Sequence, residues 1–211
     1  GAYIGGFAGV HRSHDVLSSD EYGAFDEPRD QRALKPGGFV GGGLVGANFQ
    51  QGSWVWGVEL DGGYVSGKDS LVPPFSFDLI ESRIRANAHG RVRVGYAWGN
   101  VLPFIAGGVA YANQRITFLR NDDPNFIVRS TRQPVHRVGF TIGGGFDWVF
   151  APNWIARAEY LFDQYSPGSF APITQAISDN IHVESRTHIA RAALIYKFGD
   201  TLAPMVVVTK Y

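Results

Sequence analysis

The 211-residue chain contains no cysteine, which excludes a disulfide framework, a thiolate metal site and a thiol nucleophile. It also lacks any run near the roughly 18 consecutive apolar residues that a membrane-spanning helix needs. That second absence leaves the membrane open, because barrel strands cross it with only alternate residues apolar. Charge of one sign is lacking as well: 19 basic and 19 acidic residues give a formal net charge of +0, so no electrostatic footprint for nucleic acid is present. No signal segment is visible. The chain opens at Gly1-Ala2-Tyr3-Ile4, which reads as a mature or trimmed form. Glycine, by contrast, is abundant at 27 residues. Without a three-residue period it is not collagen-like, and scattered through apolar segments it suits crowded positions inside a small barrel. The length fits one all-β domain.

The 5 tryptophans are placed unevenly. Trp54 and Trp56 follow Gln51-Gly52-Ser53, Trp98 precedes Gly99-Asn100, and Trp148 and Trp154 flank Ala151-Pro152-Asn153. All of them therefore sit beside short turns. A soluble sheet has no reason to gather tryptophan at one end of its hairpins. A barrel crossing a bilayer does, because indole settles at the headgroup level with its body in lipid and its N–H in a wet layer. These five residues are the expected aromatic girdle.

Period-two splitting separates an apolar face from its complement on most segments. From Trp54 to Val65, Trp54, Trp56, Val58, Leu60 and Tyr64 oppose Glu59 and Asp61. From Ser82 to Trp98, Arg83, Arg85, Asn87, His89, Arg91 and Arg93 alternate with Ile84, Ala86, Ala88, Gly90, Val92 and Val94. A helix would spread those arginines around its circumference, whereas a strand stacks them on one side. From Val135 to Phe150, Val138, Phe140, Ile142, Phe146 and Trp148 oppose Arg137, Thr141 and Asp147. Then Trp154, Ala156, Ala158, Tyr160 and Phe162 oppose Arg157, Glu159 and Asp163, and Ala190, Ala192, Leu194 and Tyr196 oppose Arg191 and Lys197. Val45, Ala47 and Phe49 oppose Leu44, Gly46 and Asn48 with less contrast. Gly1 to Val10 and Val101 to Phe118 are apolar enough for strands, but their faces stay unassigned. Turning all these aromatics inward would overfill an eight-stranded barrel, whose interior side chains only just fill. The membrane assignment sends them to lipid and the charges to the lumen.

Between these segments lie His11 to Pro36, Gly67 to Glu81, Leu119 to Pro134 and Ser166 to Val183, rich in Ser, Asp, Asn, Pro and Arg. Loops of such length are usually functional or disordered, and each lies opposite the tryptophan end. The sequence therefore predicts an all-β fold. It is an eight-stranded antiparallel transmembrane β-barrel with short periplasmic turns and four long extracellular loops, spanning residues 1–198, with 199–211 as a C-terminal periplasmic tail.

Several stretches carry a family resemblance. They are Gly37-Gly38-Phe39-Val40-Gly41-Gly42-Gly43-Leu44-Val45-Gly46-Ala47-Asn48-Phe49, Trp54-Val55-Trp56-Gly57-Val58-Glu59-Leu60-Asp61, Ala106-Gly107-Gly108-Val109-Ala110-Tyr111, Thr141-Ile142-Gly143-Gly144-Gly145-Phe146-Asp147-Trp148, Ala151-Pro152-Asn153-Trp154 and Arg157-Ala158-Glu159-Tyr160-Leu161. In this order the chain resembles the small outer-membrane immunogenic or porin-like β-barrels of Gram-negative bacteria, related in architecture to OmpA-type and OmpX-type domains. The resemblance covers strands two to eight and not the loops. It implies an eight-stranded barrel, surface antigenicity, and roles in envelope integrity or host contact; in some members it also implies haem binding or attachment to peptidoglycan. Such barrels often end on an aromatic residue, which Phe198 would supply, yet this chain runs on to Met205-Val206-Val207-Val208-Thr209-Lys210-Tyr211.

Few constellations suggest chemistry. Gly41-Gly42-Gly43-Leu44-Val45-Gly46 satisfies G-x-G-x-x-G, but no helical period follows, so close strand packing explains it. Ser13-His14-Asp15 is contiguous, and a catalytic triad must instead converge in space. His11, His14, His136 and His182 match no compact metal or haem spacing. Arg12, Arg29, Arg32, Arg120, Arg129 and Arg132 could meet lipopolysaccharide phosphates or could simply be solvated; both readings stand. The lumen set is Glu59, Asp61, Arg83, Arg85, Arg91, Arg93, Arg137, Asp147, Arg157, Glu159, Asp163, Arg191 and Lys197. Buried charges need partners, so this set reads as a salt-bridged plug. Its basic excess leaves a narrow small-solute or anion pore as the alternative. The expected protein is a non-enzymatic structural and surface-interaction barrel without cofactor or metal. Its partners are outer-membrane lipid and lipopolysaccharide, with peptidoglycan or host-surface contacts in addition and no nucleic acid; the oligomeric state is not legible.

Overall fold

Alternating side chains and two-residue turns dictate an up-and-down sheet, and a computed structural model describes its backbone at residues 1–19, 32–34, 37–66, 69–71, 79–121, 128–170 and 181–199. Side chains are described at 1–14, 37–66, 86–113, 136–166 and 185–199. The eight barrel strands are β1 (Ala2–Ser19), β2 (Gly37–Gln51), β3 (Trp54–Val65), β4 (Leu79–Tyr96), β5 (Val101–Asn121), β6 (Val128–Ala151), β7 (Trp154–Phe170) and β8 (Ile181–Lys197). Arg32–Leu34 adds a short ladder to β1, and Asp69–Leu71 adds one to β4. Each strand pairs antiparallel with its sequence neighbour. The sheet then closes where β1 meets β8, from Tyr3 opposite Lys197 to Ser19 opposite Ile181. Closure satisfies every edge, which is what lets a sheet sit in hydrocarbon.

The short turns have the backbone their residues favour. Gly52 and Gly99, each first in a two-residue turn, have φ of 60° and 58°, a conformation a glycine adopts freely in tight hairpins. In the third turn Pro152 precedes Asn153, whose φ is 66°; asparagine tolerates this region better than most side chains. The Asn153 side chain also donates to the Lys197 carbonyl at 3.0 Å, tying this turn to the end of β8.

The faces follow the alternation. Leu60, Val92, Ile105 and Ile142 are more than half exposed on the outside, while Glu59, Asp61, Arg91, Arg93, Asp147, Arg157, Glu159, Asp163 and Arg191 are buried within. The two strands left unassigned by sequence resolve in the same way. On β1, Tyr3, Phe7, His11 and Ser13 point inward and Ile4 and Val10 outward; on β5, Phe104, Ala106, Ala110 and Ala112 point inward and Ile105 and Val109 outward. The interior is therefore mixed, with Leu44, Leu161, Ile189 and Ile195 packed among the charges.

The strands run farther than the apolar alternation suggested. Segments expected as loop from His11 to Ser19, Leu119 to Asn121, Val128 to Pro134, Ser166 to Phe170 and Ile181 to Val183 are laddered. The physical reason is that an antiparallel ladder, once in register, continues without an apolar pattern, and period-two contrast fades where both faces are wet. Arg85 falls in a register shift between Ile84 and Ala86, a bulge that interrupts the alternation read along that segment.

Candidate functional site

β3 and β4 bring the first charges together. Glu59 lies opposite Arg91 and Asp61 opposite His89 in their shared ladder, and same-face side chains on paired strands are within reach of each other. On the far wall, Asp147 of β6 lies opposite Arg157 of β7, and Glu159 of β7 opposite Arg191 of β8. Each wall thus supplies both signs, and the lumen is narrow enough for the walls to meet.

They meet through arginines. Arg91 donates to Glu59, to Asp61 at 2.8 Å and across the lumen to Glu159 at 2.6 Å. Arg157 donates to Glu59 at 2.5 Å and grips Asp147 through Nε and Nη2 at 2.6 and 3.2 Å. Arg191 forks onto Asp61 at 3.0 Å through both terminal nitrogens and reaches Glu159 through Nε at 2.8 Å. Arg93 donates to Asp147 at 2.7 Å. Planar guanidinium groups can hold two carboxylates at once, which lysine cannot do with the same geometry. Aromatic rings complete the cage, with Arg93 over Phe104 at 3.8 Å and Arg191 over Phe7 at 4.3 Å from the ring centroids.

Two participants were missed in the sequence. His89 bridges Asp61 at 2.7 Å and Asp163 at 3.0 Å, so both ring nitrogens face carboxylate oxygens. Its place on the arginine face of β4 was the available signal. Tyr3 donates to Glu59 at 2.7 Å, and no signal marked it because the faces of β1 were not separable. Gly46 makes room for it: a Cβ there would collide with the Tyr3 ring.

Other expected members stand differently. Arg137 is buried on the same inward face. The side chains of Arg83 and Arg85 lie outside the described residues. Lys197 is only half-buried at the turn end and forms no ion pair among the described residues. The basic excess expected of the lumen also disappears among the described buried side chains, where five carboxylates face five arginines, Arg91, Arg93, Arg137, Arg157 and Arg191, beside the imidazoles of His11 and His89.

The remaining motifs dissolve on geometry. Ser13 points inward to Thr187 at 2.8 Å while His14 points outward; the side chain of Asp15 lies outside the described residues. His11 meets the Ser66 carbonyl oxygen at 2.8 Å, and His136 meets the Tyr111 hydroxyl at 2.6 Å. His182 falls outside the described side chains. No group of three or more His, Asp or Glu among the described residues is placed to hold a metal ion. The glycine-rich motif is a strand paired on both edges, to β1 and β3. All five tryptophans point outward, from 40% exposed at Trp154 to 80% at Trp98. Trp54 packs edge-on against Tyr96, and Trp154 against Tyr196.

A closed sheet with charges inside and aromatics outside is the architecture of an outer-membrane barrel, and residues 1–198 match the family described as outer membrane protein beta-barrel domain. The chain belongs to that family. Among its relatives, the 31 kDa outer-membrane immunogenic protein of Brucella melitensis is 29% identical, covering 94% of this chain and 83% of that protein. The 25 kDa outer-membrane immunogenic protein of Brucella abortus is 28% identical, covering 79% and 68%. The outer membrane protein OprG from Pseudomonas aeruginosa shares the fold with a TM-score of 0.54 at 12% identity, covering 94% of this chain and 97% of that one. The chain is a bacterial outer-membrane barrel whose lumen is plugged by its own salt bridges.

Proposed function

We propose that the barrel is a rigid surface platform: the short turns face the periplasm, the four longer connections face the cell exterior, and those connections make the contacts with host surfaces or neighbouring envelope components. The observation that carries this reading is the plug. Arg91, Arg157 and Arg191 each join strands on opposite walls, which fixes the strand ends that hold the connections. The tryptophans beside the turns support the orientation, because they suit a periplasmic headgroup layer, as do short turns against longer connections. Residues 199–211 then continue from β8 on the periplasmic side. The immunogenic character named for the Brucella relatives fits a chain whose connections are displayed to a host.

The test is orientation in living cells. Gly99→Cys in a short turn and a cysteine placed at Asn125 in a long connection are probed with a membrane-impermeant maleimide. Labelling of the Asn125 position alone in intact cells, with both labelled after lysis, is the expected outcome. Labelling of Gly99→Cys in intact cells would reverse the platform.

A further inference from the structure

We propose that His89 is a proton-operated latch in the plug. Charged, it ties β4 to β7 across the half of the lumen away from the short turns; on losing its proton it releases that half while the arginine cage stays closed. β4 and β7 are not neighbours in the sheet, and two inward cations of β4 span the gap between them. Arg91 reaches Glu159 at 2.6 Å and His89 reaches Asp163 at 3.0 Å. The ties stand side by side, with His89 one inward step farther from the tryptophan end of β4 than Arg91. They differ in one respect. A guanidinium in a protein keeps its charge, whereas an imidazole can give its proton up.

The geometry sets the state of the ring. Nδ1 faces an Asp61 oxygen at 2.7 Å and Nε2 faces Oδ2 of Asp163 at 3.0 Å. That Oδ2 also accepts from the Tyr165 hydroxyl at 3.2 Å. An ionised carboxylate only accepts, so both ring nitrogens donate, and an imidazole that donates twice is the cation. The two carboxylates depend on it unequally. Asp61 is also held by Arg91 and by Arg191 of β8. Asp163 leans on the ring, because its Oδ1 meets no hydrogen-bond donor among the described residues. From the remaining walls, β5 presents Ala110 opposite His89, and β6 carries Arg137 on its inward face. A neutral ring would turn a lone pair toward one carboxylate, and Asp163 is 0% exposed. A buried charge left that way is costly until water or displacement relieves it. The tie is therefore present while the ring is charged and is lost as rising pH strips its proton. This latch deepens the platform reading and rests on it, making the rigidity of one end conditional, but it does not depend on which side of the membrane that end faces.

The full chain, folded in detergent micelles with nitrogen-labelled histidine, is titrated upward from about pH 6, near the ordinary range of an imidazole. At neutral pH the His89 resonances are expected to show both nitrogens protonated. As they convert to the neutral pattern, backbone hydrogen exchange at Asp163, taken relative to Glu59, is expected to rise at least fivefold. Base catalysis speeds both sites alike and cancels in that ratio. His89→Gln, which cannot carry the charge, is expected to show the raised ratio at every pH and no step. Heat-shifted gel mobility confirms that the variant is folded, and the wild-type titration decides alone if it is not. A neutral ring at neutral pH overturns the latch. So does a ratio that stays flat while His89 converts, or a step that persists in His89→Gln. Any of these would leave a plug that is rigid at all pH, and the platform reading would stand. Cysteine labelling that reverses the orientation while the step appears would remove the platform and leave the latch.

Discussion

Glu59 and Arg157 are 98 residues apart in the chain, and their side chains meet across the lumen at 2.5 Å. Glu59 is also the partner of Arg91 and Tyr3, with Arg93 at 3.7 Å, so it is the point where β1, β3, β4 and β7 are joined. Removing it leaves Arg91 with Asp61 and Glu159, and Arg93 and Arg157 with Asp147 alone, so the buried network is one negative charge short. Glu59→Ala is expected to destabilise the barrel by about 3–5 kcal/mol, the usual cost of leaving a buried charge unpaired. Urea unfolding in lipid vesicles, followed by tryptophan fluorescence, measures it. Unchanged stability would mean that water already reaches these groups.

Gly46 and Tyr3 give a packing test. Gly46→Ala forces its Cβ into the Tyr3 ring, and overpacking of this kind costs about 1–3 kcal/mol. Tyr3→Ala alone loses the Glu59 hydrogen bond and opens space. The double variant should be more stable than the sum of the two single losses predicts, which a double-mutant cycle reads directly. Strict additivity would show that the ring is not held against Gly46.

The tryptophans test membrane depth. Single-tryptophan variants retaining Trp54, Trp98, Trp148 or Trp154 are reconstituted with lipids brominated near the headgroup or near the chain end. Quenching is expected to be stronger with shallow bromines at all four positions, since indole prefers the interface. Preferential quenching by deep bromines at any of them would remove it from the girdle.

The plug predicts silence in planar bilayers. The wild-type barrel should give no stepwise conductance above background, because the arginine cage joins opposite walls. Regular steps with anion preference would restore the pore reading.

Much of this arrangement was legible because polarity and alternation coincide. Glu59, Asp61, Arg91, Arg93, Asp147, Arg157, Glu159 and Arg191 each sit between outward apolar residues in sequence, and each is buried. Where contrast was low, legibility failed. Tyr3 and Phe7 of β1 are aromatic and flanked by small or apolar residues, Ala2 and Ile4 for the one and Gly6 and Ala8 for the other, so polarity could not tell which face they took. The same holds for Phe104 of β5. For Lys197, half-buried at the turn end, alternation gives the face of the residue and says nothing of its depth along the barrel axis. The partner choices were beyond reach altogether. Arg91 opposite Glu59 follows from strand adjacency, whereas Arg91 with Glu159 needs the diameter and stagger of the closed sheet.

The way the charges are shared out has a consequence for assembly. Glu59 of β3 depends on β7, Asp61 of β3 on β8, and Arg93 of β4 on β6. A sheet of the first four strands would carry Glu59 and Asp61 without Arg157 or Arg191, and one of the last three would carry Arg157 without Glu59. Open intermediates keep the pairs between neighbouring strands but lack the bonds across the lumen, which form only in the sealed ring. The β1–β8 seam closes the largest loop of the fold, and loop closure of that span is the slowest kind of contact to make. Sealing the seam and completing the plug are thus coupled, because the cross-wall partners come within reach of one another only in the closed ring.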